Sequence, residues 1–399
     1  MFLRRTKSTY AGALLVVTCL LLFVTACCPV TASSQQDPFE SAVRYQAEEL
    51  GLEHLQAEMN TLIQQFGDVG VDVNLYQWLV SRGQIPVSPW GFVKGVAGYL
   101  FREVVGNTAL LGQLLLISVI AAIVRNLAVS SDGDTVAGVV SAVLYLVILL
   151  IGLSSFRSAA GIANRAVDTV VSFVQSVTPT LFTLMVAMGG VSTSAALHPA
   201  VLGAVVSFAS IVRGVVVPLV LFSVVLSVIT RLSGTVRTLH LARLLRRSAT
   251  AVMGLVSSAF VAVMTIRGLV ASFGDAVTMK TARLAASTFV PVIGAAIADG
   301  MEVVAGASLL IKNVVGVAGL LTVAIASLYP IVKIVAIVLM YRLASSLAEP
   351  LGDSSVADCL GDLGDGLSQL AICTAVTGIM MAVTLAIVLS VGSLPQMFR

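Results

Sequence analysis

The fold is decided by an uncharged stretch in the middle of the chain. Residues 169–212 read TVVSFVQSVTPTLFTLMVAMGGVSTSAALHPAVLGAVVSFASIV and contain no Asp, Glu, Lys or Arg. About 20 apolar residues in an α-helix cross the hydrocarbon core of a bilayer, so this stretch is long enough for two crossings. The turn between them is predicted at residues 188–194, where Gly189 and Gly190 interrupt the apolar sequence.

The rest of the chain repeats this pattern of uncharged stretches. Hydrophobic residues make up 58% of the 399 residues and charged residues 11%, whereas soluble domains average about 45–50% and about 25%. So few charges cannot cover a soluble globule of this size, which excludes a soluble enzyme and a disordered chain. We therefore predict an all-α, polytopic helical membrane protein with about seven to nine spans. The other uncharged stretches are 104–124, 135–156, 214–230, 248–266, 313–332 and 366–398.

The N-terminus has the pattern of a targeting segment. A basic segment at residues 4–7 precedes an apolar run over residues 11–26, as in a secretory signal peptide. We predict a cleavable signal peptide over residues 1–32, cut after Ala32. Two alternatives stay open, which are cleavage with lipid attachment at Cys27 and an uncleaved anchor. With either cleavage, the mature chain begins outside the cytoplasm.

Residues 33–105 are predicted to form a small, acidic, helical extracytoplasmic region, because they contain nine acidic and four basic residues. Asp37 and Pro38 are typical of a helix start. An apolar stripe at alternating three- and four-residue spacing must be covered within this region, by a partner helix or by the membrane face. Its residues are Leu52, Leu55, Met59, Leu62 and Phe66. The amphipathic stretch from Trp90 to Val104 predicts a helix in the headgroup layer.

A multi-span domain is predicted over residues 106–399, with a basic loop at 231–247 and an acidic loop at 349–365. The positive-inside rule places the basic loop in the cytoplasm, and its arginines are Arg231, Arg237, Arg243, Arg246 and Arg247. The acidic loop has five acids and no base, which favours the outside of the membrane. After a cleaved signal peptide, an odd number of crossings must precede the basic loop. Two short spans in 197–230, bent around residues 213–218, satisfy this, as does a re-entrant segment.

The sequence contains no pattern of known catalytic chemistry. A Walker A motif, HExxH, GxSxG and a GxGxxG after a strand are all absent. The three histidines stand far apart in the sequence, at His54, His198 and His240, and no nucleophile can be matched to a base. The two cysteines outside the N-terminal segment, Cys359 and Cys373, do not have metal-site spacing. We therefore predict a protein that is not an enzyme and has no catalytic residues, no metal site and no cofactor.

Isolated charges inside apolar stretches are the candidate functional residues. An ionisable group at bilayer depth is costly unless it is paired, hydrated or close to an interface. The functional interpretation is an intramembrane polar path between helices. The alternative is a set of snorkelling side chains at span ends with one structural ion pair. The candidates are Arg213, Asp299, Glu302, Lys312 and Lys333.

An ordered series of short motifs resembles one protein family, stage III sporulation protein AE, which is a membrane protein family of endospore-forming bacteria. The likeness covers nearly the whole chain and is strongest from Gly106 to Gly352. The motifs are HP at 198–199, VPL at 217–219 with LSVI at 226–229, LARLL at 241–245, KTAR at 280–283, FVPVIG at 289–294, LIKNVVG at 310–316, YPIVK at 329–333 and EPLG at 349–352.

The resemblance implies a subunit of a channel, or feeding-tube, complex that connects the mother cell to the forespore and sustains late forespore gene expression and spore formation. It implies a multi-pass location in the mother-cell membrane around the forespore. The implied partners are ring-forming membrane-anchored subunits, a secretion-ATPase-like component and, indirectly, a forespore-side membrane protein. Membrane lipid is a further partner, and no nucleic acid is expected. The basic loop either docks the ATPase or holds anionic lipid headgroups. The alternative function is a stand-alone secondary transporter for a small solute.

Overall fold

The computed structural model describes residues 38–64, 74–80, 89–129, 134–233, 239–289, 293–351 and 354–391. Every regular element in these ranges is helical. A π-helix, Val212–Val216, joins the α-helices Val191–Ile211 and Val217–Ser233, and a 3-10 helix, Glu349–Leu351, follows the α-helix Ile293–Ala348. The signal peptide prediction, with its alternatives at Ala32 and Cys27, lies outside the described residues. In chain order the α-helices are α1 (Pro38–Glu49), α2 (Leu52–Gln64), α3 (Leu75–Val80), α4 (Pro89–Gly106), α5 (Thr108–Val129), α6 (Asp134–Ala187), α7 (Val191–Ile211), α8 (Val217–Ser233), α9 (Leu239–Phe289), α10 (Ile293–Ala348) and α11 (Ser354–Val391).

The all-α prediction is confirmed, but the described residues provide fewer candidate spans than the seven to nine expected. Five helical segments are long and apolar enough to cross a membrane, or six if the bent pair of α4 and α5 forms one crossing. Stretches that read as separate spans in the sequence are continuous in the structure, because α6 contains both 135–156 and the start of the 169–212 stretch. The five segments are Leu146–Ala187, Val191–Thr230, Leu239–Gly268, Val303–Ala348 and Ser355–Val391.

The turn predicted at residues 188–194 is confined to residues 188–190 between α6 and α7, and residues 191–194 already belong to α7. Gly189 has φ +91°, a left-handed conformation that glycine adopts without steric cost. The amide of Gly190 donates to the carbonyl of Met185 at 2.8 Å, and that of Gly189 donates to Val186 at 2.9 Å. This pair of hydrogen bonds is a Schellman motif, which ends α6 and lets α7 return along it.

The bend expected within residues 197–230 is a π-helix and not a break. The amide of Val217 bonds to the carbonyl of Val212, five residues earlier, so one extra residue is accommodated within the helix. Residues 191–230 therefore form a single helical segment. It does not divide into the two short spans that the sequence suggested.

Helices α6, α10 and α11 form the centre of the bundle. Helix α10 runs antiparallel to α11, since Gly316 of α10 packs against Leu389 while Gly378 of α11 packs against Ser327. It is also antiparallel to α6, because the Tyr341 hydroxyl donates to the Ile151 carbonyl at 3.4 Å while Gly319 contacts Val177. Glycines at these contacts bring the helices close, as is common between membrane helices.

The N-terminal helices pack against the bundle and cover the apolar stripe of α2. Of the predicted stripe, Leu52, Leu55 and Met59 are buried and Leu62 is half-buried, with the neighbouring Ile63 buried. Phe66 lies outside the described residues. The Ser308 hydroxyl of α10 donates to Gln46 Oε1 of α1 at 3.1 Å. The Ser176 hydroxyl of α6 donates to Glu58 Oε2 of α2 at 2.9 Å. The apolar stripe of α2 is thus covered by other helices of the same chain, including α10 and α6.

Candidate functional site

A charge cluster joins α9, α10 and α11 at one end of the bundle. Arg246 Nη1 lies 3.2 Å from Asp365 Oδ2, and Arg342 Nη2 lies 3.1 Å from Asp365 Oδ1. The Arg246 guanidinium also donates to the carbonyl of Asp362 at 3.4 Å, while the Ser227 hydroxyl of α8 donates to Asp362 Oδ2 at 2.9 Å. Four helices therefore meet at two neighbouring carboxylates, and the Asp365 side chain is 45% exposed.

This cluster corrects the predicted placement of the basic and acidic loops on opposite sides of the membrane. Arg246 belongs to the predicted basic loop and Asp365 to the acidic loop, and the two are in contact. Both residues are helical, in α9 and α11. These two helices run parallel, since Arg246 meets Asp365 while Gly268 lies beside Val391 further along both helices. Acidic residues contribute little to the positive-inside rule, so the acidic segment was a poor marker of side.

Arg243 and Arg247 lie on α9 with exposed side chains. Arg231 is the third-last residue of α8, but its side chain is outside the described set, as is the whole of Arg237. The predicted basic loop is therefore, over residues 239–247, the exposed beginning of a helix.

Lys312 is fully buried in the bundle, with 0% of the side chain exposed. Its Nζ donates to the carbonyl of Leu389 at 2.8 Å. Leu389 is within the last turn of α11, where carbonyls lack an intrahelical partner and the helix dipole favours a positive charge. Lys312 thus caps the C-terminus of α11 from the neighbouring helix, which is a structural role.

Lys333 pairs with an acid from the predicted interfacial helix. Its Nζ lies 3.6 Å from Glu103 Oε1 of α4. The Tyr99 hydroxyl donates to Glu103 Oε2 at 3.2 Å, and its ring lies 4.8 Å from that of Tyr329. This contact fastens α4 to α10.

Arg213 forms an ion pair with Asp168 at the π-helix. The Arg213 side chain is 35% exposed and that of Asp168 53%. The pair joins α6 to the α7–α8 segment at the point where the helix carries its extra residue. Asp168 was not among the sequence-predicted candidates, although it is the last charge before the 169–212 stretch, and this position could have indicated it.

The predicted polar path is not assembled as one site in the described residues. Arg213, Lys312 and Lys333 contact three different partners, and the two lysines lie about 30 Å apart along α10 at ~1.5 Å per residue. The side chains of Asp299 and Glu302 fall outside the described set. No group of three or more His, Cys, Asp or Glu within the described ranges is placed to hold a metal ion.

A crevice where α6, α10 and α11 meet is lined by hydroxyls but is too narrow for a water molecule. The Ser327, Thr374 and Thr377 hydroxyls each donate to the carbonyl four residues earlier, at 2.7, 3.0 and 2.9 Å. Their hydrogens are therefore used within their own helices. This arrangement supports close helix packing and not solute binding.

Fold and contacts define the class as a helical membrane protein in which polar and charged contacts hold long helices together. A family model for stage III sporulation protein AE matches residues 72–392. The chain belongs to the stage III sporulation protein AE family, which supports a role in sporulation. The curated stage III sporulation protein AE of Bacillus subtilis (strain 168) is 29% identical over 318 residues, which are 80% of each chain. No solved structure matches the chain.

Proposed function

We propose that this chain is a membrane subunit of a channel complex between mother cell and forespore, needed for late forespore gene expression and spore formation. The observation that carries the proposal is the family match over most of the chain. The proposed location is the mother-cell membrane around the forespore, with several helices crossing it. The subunit is proposed not to be an enzyme, because the family to which the chain belongs is a sporulation protein family.

The proposed partners follow from the same family assignment. They are ring-forming membrane-anchored subunits, a secretion-ATPase-like component and, indirectly, a forespore-side membrane protein. The exposed arginines at the beginning of α9 suit either the ATPase or anionic lipid headgroups. In this proposal the acidic helices α1 and α2 lie in the space outside the cytoplasm, where partner rings would assemble.

Deletion of the gene in the native host tests the proposal, with forespore development scored by microscopy. We expect arrest after engulfment, with a collapsing forespore and silent late forespore genes, and restoration by the full-length gene. Normal spores would contradict the proposal. Purified protein in vesicles separates it from a stand-alone transporter, because a channel subunit should be inert without partners whereas a transporter should move a solute by itself.

A further inference from the structure

The exposed face of α6 changes character along its length. In the first part of the helix the exposed side chains are large and apolar, as at Leu146 (54%) and Leu150 (56%). Between Ser154 and Ser172 the exposed side chains are polar, and those on this face are spaced by four, seven, three and four residues, which is one or two helical turns. We call this set the α6 polar face, and its exposed members are Ser154, Ser158, Arg165, Asp168 and Ser172.

We call the position of a residue along the bundle axis its height. The heights of residues on α6 and α9 can be compared through α11, because both helices pack against it. On α6, Phe156 lies beside Gly366, and Val177 meets Gly319 together with Leu385. On α9, Arg246 pairs with Asp365, and Gly268 lies beside Val391. Residues 158–177 of α6 therefore share their height with residues 249–263 of α9.

At this shared height the two helices present opposite chemistry. Leu255 of α9 is 69% exposed and Val263 is 47% exposed, in a segment that is apolar enough to cross a membrane. Such an exposed apolar helix fits hydrocarbon. The α6 polar face includes Arg165 and Asp168, which would be costly to place against lipid tails.

Arg213 adds to the polar side. Its ion pair with Asp168 remains partly exposed, with 35% of the Arg213 side chain and 53% of the Asp168 side chain at the surface. Water next to this face satisfies such groups, whereas lipid does not. At one membrane height, then, the bundle has a lipid-compatible side on α9 and a water-compatible side on α6.

We propose that the α6 polar face lines an aqueous passage at membrane depth, with α9 facing lipid on another side of the bundle. The inference rests on the proposed function, because the passage would be completed by the other subunits of the complex. It adds the surface that this subunit would turn toward the passage.

Cysteine accessibility in the full-length protein tests the inference. Ser158→Cys and Ser172→Cys probe the α6 polar face, and Leu255→Cys and Val263→Cys are controls at matched heights on α9. Tyr45→Cys, on a residue of α1 that is 68% exposed, serves as the water-exposed reference. Each variant replaces the native gene in a sporulating host, and its membranes are treated with a small charged methanethiosulfonate reagent. The labelling of the parent chain, in which Cys359 and Cys373 are buried, is subtracted.

The expected result is labelling at Ser158→Cys and Ser172→Cys at least about tenfold faster than at the α9 controls, since the reactive thiolate is disfavoured in hydrocarbon. Equal labelling of the α9 controls would overturn the inference by placing this height outside the bilayer. Unlabelled α6 positions would also overturn it, because lipid or protein would then cover the face. If either result occurs in a host whose deletion strain shows the expected arrest, the inference about the α6 polar face is wrong but the proposed function stands. Normal spores in the deletion strain would instead contradict the proposed function.

Discussion

Helices α10 and α9 are both long and apolar, yet one is enclosed and the other lies at the edge of the bundle. In their most apolar segments, 67% of residues are buried in α10 but only 22% in α9. The difference lies in what the small residues meet. Gly316 and Gly319 of α10 contact side chains of neighbouring helices, whereas a Cβ at Gly254 of α9 would meet nothing within 4 Å. Apolar composition identifies a span, whereas the contacts that its glycines make with neighbouring helices show whether it is central.

Lengthening a glycine side chain at the central seam should have the largest effect. A Cβ at Gly378 of α11 would collide with Ser327 of α10, and Leu adds three further carbons, so Gly378→Leu should lower the free energy of unfolding by well over about 3 kcal/mol, the top of the usual range for overpacking. The matched control on α9, Gly254→Leu, has open space and should change little. Thermal unfolding of the detergent-solubilised protein, followed by size-exclusion chromatography, compares the two. Equal losses would mean that α9 is as tightly packed as the centre.

Reversing a charge should also have a larger effect in the central helix α10 than in the peripheral helix α9. Lys312→Glu places a carboxylate against the C-terminal carbonyls of α11, where burial prevents hydration, and should cost about 3 kcal/mol or more. Arg247→Glu makes the same change on the exposed face of α9 and should have a much smaller effect. The amount of folded protein extracted from membranes reports both. Wild-type amounts of Lys312→Glu would show that the buried ammonium does not cap α11.

Neutralising the carboxylate shared by α9, α10 and α11 should have an intermediate effect. Asp365→Asn weakens the contacts of Arg246 and Arg342 while keeping the side-chain shape. Because the pair is partly exposed, we expect a loss of about 1 kcal/mol that shrinks at high salt. Glu349→Gln, at an exposed acid of the same end, is the control. A loss that is independent of salt would rule out an electrostatic origin.

The smallest effect is expected when one of the hydrogen bonds between α9 and α11 is removed. Gln369 Nε2 donates to Thr250 Oγ1 at 2.8 Å, and Thr250→Val removes this acceptor, with an expected cost of about 0.5–1 kcal/mol. In Ser258→Ala the lost bond is to Leu255 of the same helix, so α9 should stay attached. Crosslinking between cysteines introduced on α9 and α11 measures the attachment. Equal crosslinking in both variants would show that this bond does not hold α9 in place.

The sequence predicted the elements whose causes are local. The end of α6 followed from Gly189 and Gly190, because only the glycine backbone suits that turn. The uncharged stretch 104–124 predicted a span, and most of that stretch lies within α5. By contrast, the two short spans predicted around residues 213–218 were wrong, because the π-helix Val212–Val216 keeps residues 191–230 in one helical segment.

Contacts between distant parts of the chain could not be predicted in the same way. The sequence singled out Lys312 and Lys333 as charges that need partners, but it could not name those partners, which come from other helices. Leu389 offers only a backbone carbonyl, which no residue pattern indicates. The pairing of Arg246 with Asp365 depends on α9 and α11 running parallel, and the direction of a helix is set by the number of crossings before it, which charge counting left open.

The π-helix also fixes the rotational phase between the two ends of the 191–230 segment. One extra residue in a helix turns everything beyond it by about 100°, since an α-helix has about 3.6 residues per turn. Upstream of this offset, His198 faces the ring of Phe182 on α6. Downstream, Ser227 faces Asp362 on α11. The inserted residue therefore sets the relative rotation at which both ends of the segment can face their partners. Deleting one residue from 212–216 would leave only one of these ends able to do so.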